Sequence, residues 1–186
     1  KNSLEALQMK GDDGDIQKTI SFIYLKDHDF KKGWGYFDGR LDLNYFIKKN
    51  DYVNKLNSKL YLSNILNKKT NKFLIVREQG VGDEILYSSM YGDFLNDNKN
   101  AVIECDSRLI NLFRKSFKKH SDKFVEIGSI TNDDKKFKQI DFVIYAGSLG
   151  KYYRKNINDF PKNSFLKIDK KKFEFMKSRL LKYKKK

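Results

Sequence analysis

The chain has 186 residues, with 39 basic against 24 acidic side chains and a formal net charge of +15. Its 39% hydrophobic and 15% aromatic content can build a core, which excludes wholesale disorder, and one proline with 34% charged residues argues against a loop-rich β protein. Cys105 stands alone, so there is no disulfide framework and a reducing, cytoplasmic setting is expected; no apolar run approaches the ~20 residues of a membrane span, and no signal peptide is visible.

Six of the 39 basic residues are Arg, leaving 39 − 6 = 33 Lys. Such a balance suits a polyanion partner, but Lys and Asn abound together and the lysines are spread along the chain, as compositional bias produces. No recognised nucleic-acid module is present, so no specific nucleic-acid binding is expected.

Residues 1–11 read as a short helix. Gly11-Asp12-Asp13-Gly14-Asp15 lacks the spacing and distal Glu of a calcium loop and reads as a turn capping the next helix. Over residues 15–26, Ile16, Ile20, Ile23 and Tyr24 share one helical face; Asp27-His28-Asp29 breaks the pattern, and a second helix runs from Phe30 to Leu41 with Trp34 and Phe37. These make a tetratricopeptide-like hairpin within residues 1–45. One hairpin cannot bury its apolar face alone, so it is expected to dock on the next domain or continue an array, with Trp34 as a packing anchor. Residues 42–70, rich in Asn and Lys, read as connecting chain with at most one helical turn, the linker proper being 46–70.

An α/β domain is expected over 71–168. Phe73 to Val76 is an unbroken apolar run, suited to a strand buried on both faces of a parallel sheet. A glycine turn follows at Gly80-Val81-Gly82, then Ile85, Leu86, Met90, Phe94 and Leu95 at helical spacing, with Asp83 at the N-cap or first turn. After an Asn-rich turn at 96–100, Ala101 to Cys105 is the second strand, Asp106 or Ser107 caps a helix to about Lys118, Phe124 to Ile127 is a third strand and Phe142 to Tyr145 a fourth. Gly147-Ser148-Leu149-Gly150 is a second glycine turn at a strand's C-terminal end, the edge where ligands of open α/β sheets collect. Residues 169–186 form a basic helix with Phe173, Met176, Leu180 and Leu181, expected to pack on the domain, with membrane-surface contact as the second reading.

Strand, glycine turn and helix suit anion binding, because glycines admit ligand atoms to the backbone and a helix N-terminus offers free N–H groups. The dinucleotide fingerprint is not met, since Ile85 stands where its third glycine belongs, and the phosphate-binding P-loop is absent.

Glu78-Gln79-Gly80-Val81-Gly82-Asp83-Glu84-Ile85-Leu86 resembles the loop of the tetratricopeptide-repeat-associated glycosyltransferase-like family, which is itself similar to the heptosyltransferases in their N-terminal half. Pieces in the same order extend the resemblance: Val102 to Leu109, Leu112 to Phe117, Ala146 to Leu149 with Tyr153-Arg154, and Phe160-Pro161 with Phe165-Leu166. Upstream, Phe30 to Trp34 with Tyr36, Phe37 and Arg40 resembles the last helix of the repeat array. The resemblance covers most of residues 16–182. It implies a Rossmann-like parallel sheet, the N-terminal half of a GT-B fold, preceded by a short repeat-like hairpin.

The function it implies is part of a glycosyltransferase moving sugar from a nucleotide-sugar donor, a substrate rather than a cofactor, to a sugar or protein acceptor hydroxyl. This chain would supply the acceptor-side domain, without the donor-binding domain. Asp83 aligns with the catalytic base; the bland reading is a cap alone. Glu78, Gln79, Gly80 and Gly82 would line the mouth, with Arg108, Gly147, Ser148 and Arg154 holding phosphate or an anionic acceptor; each also has an ordinary structural reading. No metal site is expected from His28 and His120, and Cys105 reads as a buried structural thiol. The rival function is a non-catalytic interaction module that grips a protein through its hairpin.

Overall fold

A computed structural model describes residues 13–43, 53, 59–60, 72–130 and 140–183. It is a mixed α/β structure around an all-parallel sheet. Helices α1 (Gly14–Lys26) and α2 (Phe30–Phe37) come first, followed by a 3-10 turn at Asp38–Asp42. The sheet comprises β1 (Lys59–Leu60), β2 (Phe73–Val76), β3 (Val102–Cys105), β4 (Phe124–Glu126) and β5 (Phe142–Tyr145), in the order β1-β5-β2-β3-β4. Between β2 and β3 lie α3 (Val81–Tyr87), a 3-10 turn at Ser88–Met90 and α4 (Tyr91–Asp97). Helix α5 (Ser107–Ser116) follows β3, α6 (Gly150–Tyr153) follows β5, and α7 (Lys170–Tyr183) closes the described chain.

The apolar run at β2 becomes the central strand because both of its edges and both of its faces are covered. It pairs with β5 on one side and β3 on the other, and all four residues are at most 1% exposed. Alternation along the strands sorts the core. Phe73, Ile75, Ile103, Cys105 and Ile144 face a layer built from Tyr87, Met90, Tyr91, Phe94 and Phe113 of the connecting helices. Leu74, Val76, Val102, Val143 and Tyr145 face the opposite way, with Leu43 and Ile130. Strands β3 and β4 are laid down on one side of β2, whereas β5 returns to the other. The sheet therefore reverses its winding between β2 and β5, and the C-terminal ends of those strands flank the reversal.

The two N-terminal helices pack against each other. Leu25 lies against Gly33 and Gln17 against Gly39, while Tyr24 stacks on Tyr36 with ring centroids 5.9 Å apart. Asp13 caps α1 by accepting hydrogen bonds from the Asp15 and Ile16 N–H groups. Ile20 is buried, but Ile23, expected on the packed face, is 46% exposed. The hairpin docks on the sheet domain. Trp34 Nε1 donates to the Arg154 carbonyl at 2.7 Å, and the ring lies so close to Gly150 that a Cβ there would be 2.5 Å from it. Gly150→Ala should therefore cost about 1–3 kcal/mol by overpacking, read as a lower urea midpoint.

Several expectations need correction. The connecting segment contributes β1, parallel to β5, at its described residues Lys59 and Leu60. The helix that carries Asp83 in its first turn, as expected, does not run unbroken to Leu95 but is interrupted at Ser88–Met90. There the Ser88 hydroxyl bonds back to the Ile85 carbonyl, while Arg154 takes the Ser89 carbonyl. The helix after Asp106 ends at Ser116 rather than Lys118. Finally, α7 does not pack on the domain: none of its residues is buried. The expected helix at 1–11 and most of the 46–70 linker lie outside the described residues.

Candidate functional site

Glu78, Gln79, Gly80, Gly82 and Asp83 follow β2, and Gly147 and Ser148 follow β5. The winding reversal brings the two segments together, and the link is direct: the Gly147 N–H donates to Glu78 Oε1. The crevice between them is occupied by Arg40, from the 3-10 turn after α2. Arg40 is 0% exposed and forks onto the carboxylate, Nε to Oε2 at 2.7 Å and Nη2 to Oε1 at 2.8 Å. Its Nη1 donates to the Phe37 carbonyl and its Nη2 to Ser148 Oγ at 3.1 Å, with the guanidinium 4.0 Å above the Phe37 ring. Ser148 in turn donates to Asp38 Oδ1 at 2.6 Å, and Lys151 Nζ reaches Asp38 Oδ2 at 2.8 Å. Among the described residues, two cations and two carboxylates are linked in this network, with Arg40 and Glu78 buried and Asp38 and Lys151 at its partly exposed edge. Glu78 and Ser148 thus spend their side chains on the hairpin rather than on a free anion site.

The glycine loop itself stays open. Gly80 and Gly82 are exposed, and a Cβ at Gly82 would meet nothing within 4 Å. Gly80 is the extended N-cap of α3, which places Asp83 in the first turn, where Asp83 Oδ2 accepts from the Gly80 N–H at 3.2 Å. Among the described residues, this is the hydrogen bond that the Asp83 carboxylate makes. Gln79 adopts φ 56°, a left-handed conformation rare for a non-glycine residue, and its carbonyl is held by Arg77 at 3.2 Å.

A second charged cluster adjoins the loop at the ends of β2 and β3. Glu84 is fully buried, and its Oε1 accepts from the Asp106 N–H at 2.8 Å. Arg77 Nε lies 2.7 Å from Glu84 Oε2, an ion pair whose alignment falls short of a hydrogen bond. Burial pushes the Glu84 carboxyl above its usual range, against the pull of the Asp106 N–H and Arg77. Arg108 turns back onto Asp106 with a bidentate fork at 2.8 and 2.9 Å, though its side chain is 72% exposed. Those hydrogen bonds hold the Asp106 carboxyl well below the ordinary carboxylate range. Arg154 stands in neither cluster. It is 3% exposed and bonds Asp93 Oδ2 at 2.8 Å and the Ser89 and Tyr153 carbonyls, tying α6 to the α3–α4 break.

Sequence reasoning missed the central side chain. Arg40 entered only as part of a resemblance, and no local pattern distinguishes it from a surface arginine; Asp38 and Lys151 carry no signal either. Beside their network, between α2 and α6, a cleft of about 610 Å³ is lined by Phe30, Lys31, Trp34, Gly35, Asp38, Lys151 and Lys155. Aromatic walls and lysines could hold an apolar ring bearing an anionic group.

Among the described residues, no group of three or more His, Cys, Asp or Glu is placed to hold a metal ion. His28 stacks on Phe30, and His120 Nε2 lies 3.0 Å from Asn96 Oδ1. Cys105 is fully buried, its thiol pushed up to about 12 by burial and next by the Glu84 charge. It should resist alkylation at pH 8 in the native protein and react only once urea unfolds the chain, which a mass-shift assay would follow. No helix among the described residues is long and apolar enough to cross a membrane.

These features define an α/β protein with a parallel, Rossmann-like sheet whose switch-point crevice is closed by a side chain from an N-terminal helical hairpin. No family model matches the chain, and comparison with curated proteins and with solved structures returned no match.

Proposed function

We propose that this chain is the acceptor-side half of a sugar nucleotide-dependent glycosyltransferase, the N-terminal domain of a GT-B arrangement preceded by a repeat-like helical hairpin. The observation that supports this reading is the meeting, at the winding reversal, of the two glycine-containing segments that follow β2 and β5, with the Asp83 carboxylate at the open mouth of the first. In the proposed reaction Asp83 takes the proton from the acceptor hydroxyl as that oxygen bonds the anomeric carbon, and the nucleoside diphosphate departs with the electrons of the broken glycosidic bond. The donor would be held by a second domain outside these 186 residues. The test is transfer of labelled sugar from a panel of nucleotide-sugars by the protein as its whole gene encodes it. Absence of both transfer and donor binding across the panel sinks the reading.

A second reading is favoured by one specific observation, the Arg40 network. A crevice closed by a buried ion pair suits a scaffold that has lost its ligand and presents its hairpin to a protein. One stoichiometric partner in a pull-down, with no nucleotide-sugar binding, would select it.

A further inference from the structure

We propose that α7 is a peripheral membrane anchor that lies on an anionic lipid surface. The helix spans 14 residues, all exposed. Phe173, Met176, Leu180 and Tyr183 recur at i, i+3, i+7 and i+10, which places them on one stripe, and they are 49%, 51%, 63% and 73% exposed. Phe175 and Leu181, off the stripe, are exposed as well. Just before the helix, Lys115 pairs with Asp169 at 3.3 Å and the Lys167 N–H donates to Ser116 Oγ, while every residue of the helix itself is exposed. A helix of this length with no packing is marginal in water, so a surface that covers the stripe is needed to hold it.

Charge selects that surface. From Lys167 to Lys186 the sequence carries ten basic residues, Lys167, Lys170–Lys172, Lys177, Arg179, Lys182 and Lys184–Lys186, against Asp169 and Glu174. Asp169 is engaged by Lys115 and caps the helix through the Lys172 N–H, and Glu174 lies 4.0 Å from Lys177. On a helical wheel Lys172 and Arg179 border the stripe on one side and Lys170 and Lys177 on the other. Long cationic side chains on both borders can reach up to headgroup phosphates while the stripe enters the acyl boundary. A nucleic acid would use the lysines and leave the apolar stripe in water. The chain's +15 charge adds attraction to the same surface and no repulsion.

The test is co-sedimentation of the 186-residue chain with vesicles of phosphatidylcholine alone or enriched in phosphatidylserine, at low and high salt, with far-UV circular dichroism on the same samples. Binding should be about ten-fold or more tighter on the serine-rich vesicles, weaken with salt and raise helicity. The double variant Phe173→Glu/Leu180→Glu should lose at least about ten-fold of that binding while its urea midpoint stays unchanged, because both side chains are exposed. Lys177→Glu/Lys182→Glu should behave alike. Equal binding to both vesicle types overturns the proposal, as does a stripe variant that binds like the parent, which would leave the lysines serving a polyelectrolyte such as RNA. A concentration-dependent dimer abolished by Leu180→Glu overturns it too, since a second copy would then cover the stripe.

Discussion

Arg40→Ala is expected to cost about 3–5 kcal/mol, enough to leave a marginally stable domain largely unfolded at room temperature. The reason is asymmetry. Arg40 and Glu78 are both fully desolvated side chains joined by two hydrogen bonds. Removing the cation strands a carboxylate in the interior, where only the Gly147 N–H remains to it. The Asp38 carboxylate would also lose its Arg40 contact at 3.3 Å. Replacing both partners, as Arg40→Met/Glu78→Leu, should recover most of the loss, because well-packed apolar residues avoid desolvating any charge. Recovery should stop short of the parent by about 1–3 kcal/mol, since the Gly147 N–H would then be buried without an acceptor. Urea midpoints of the two single variants and the double variant give the coupling. If Arg40→Ala unfolds at the parental midpoint, the hairpin does not close the crevice.

The second large effect is on chemistry. If Asp83 is the general base, Asp83→Asn should lower sugar transfer by roughly 10²–10⁴-fold in the protein as its whole gene encodes it. Stability should move little, because the Asn carbonyl can still accept the Gly80 N–H that Asp83 Oδ2 accepts at 3.2 Å. That substitution therefore separates base from cap. Loss of transfer at unchanged midpoint assigns the proton-accepting role, whereas full transfer leaves Asp83 as a helix-capping residue and moves the functional reading to the interaction module. Asp83→Ala would be a poorer probe, since it also removes the cap, at a cost of about 1 kcal/mol.

Much of this architecture was legible because its causes are local. Phe73–Val76 and Phe142–Tyr145 have the bounds expected, since a short run of consecutive apolar residues rich in β-branched and aromatic side chains suits a strand covered on both faces. The capping turn expected at residues 11–15 caps α1 through Asp13, and of the two candidates Asp106 and Ser107 it is Asp106 that caps α5, because a capping carboxylate needs only the N–H groups two or three residues ahead of it. The glycines at 80–82 and 147–150 do follow strand ends, but the second expected turn is a 3-10 helix over Ala146–Leu149 that runs into α6.

Other features had no local cause. Two residues at Lys59–Leu60 form a strand only because β5 offers an open edge beside them. The break at Ser88–Met90 depends on Arg154, which captures the Ser89 carbonyl from far along the chain. The hydrophobic pattern of α7 correctly marked an amphipathic helix, but a periodic stripe states only that something should cover it, not what.

The sequence alone determined the four longer strands, the caps of α1 and α5 and the amphipathic pattern of α7, because those depend on spacing and neighbouring backbone groups. Only the tertiary structure decided that Arg40, 38 residues upstream of Glu78, fills the switch-point crevice. A long-range ion pair has no periodicity in sequence. It arises when chain segments folded for other reasons bring two charges out of water together, and the penalty for leaving either one alone then holds the hairpin against the sheet.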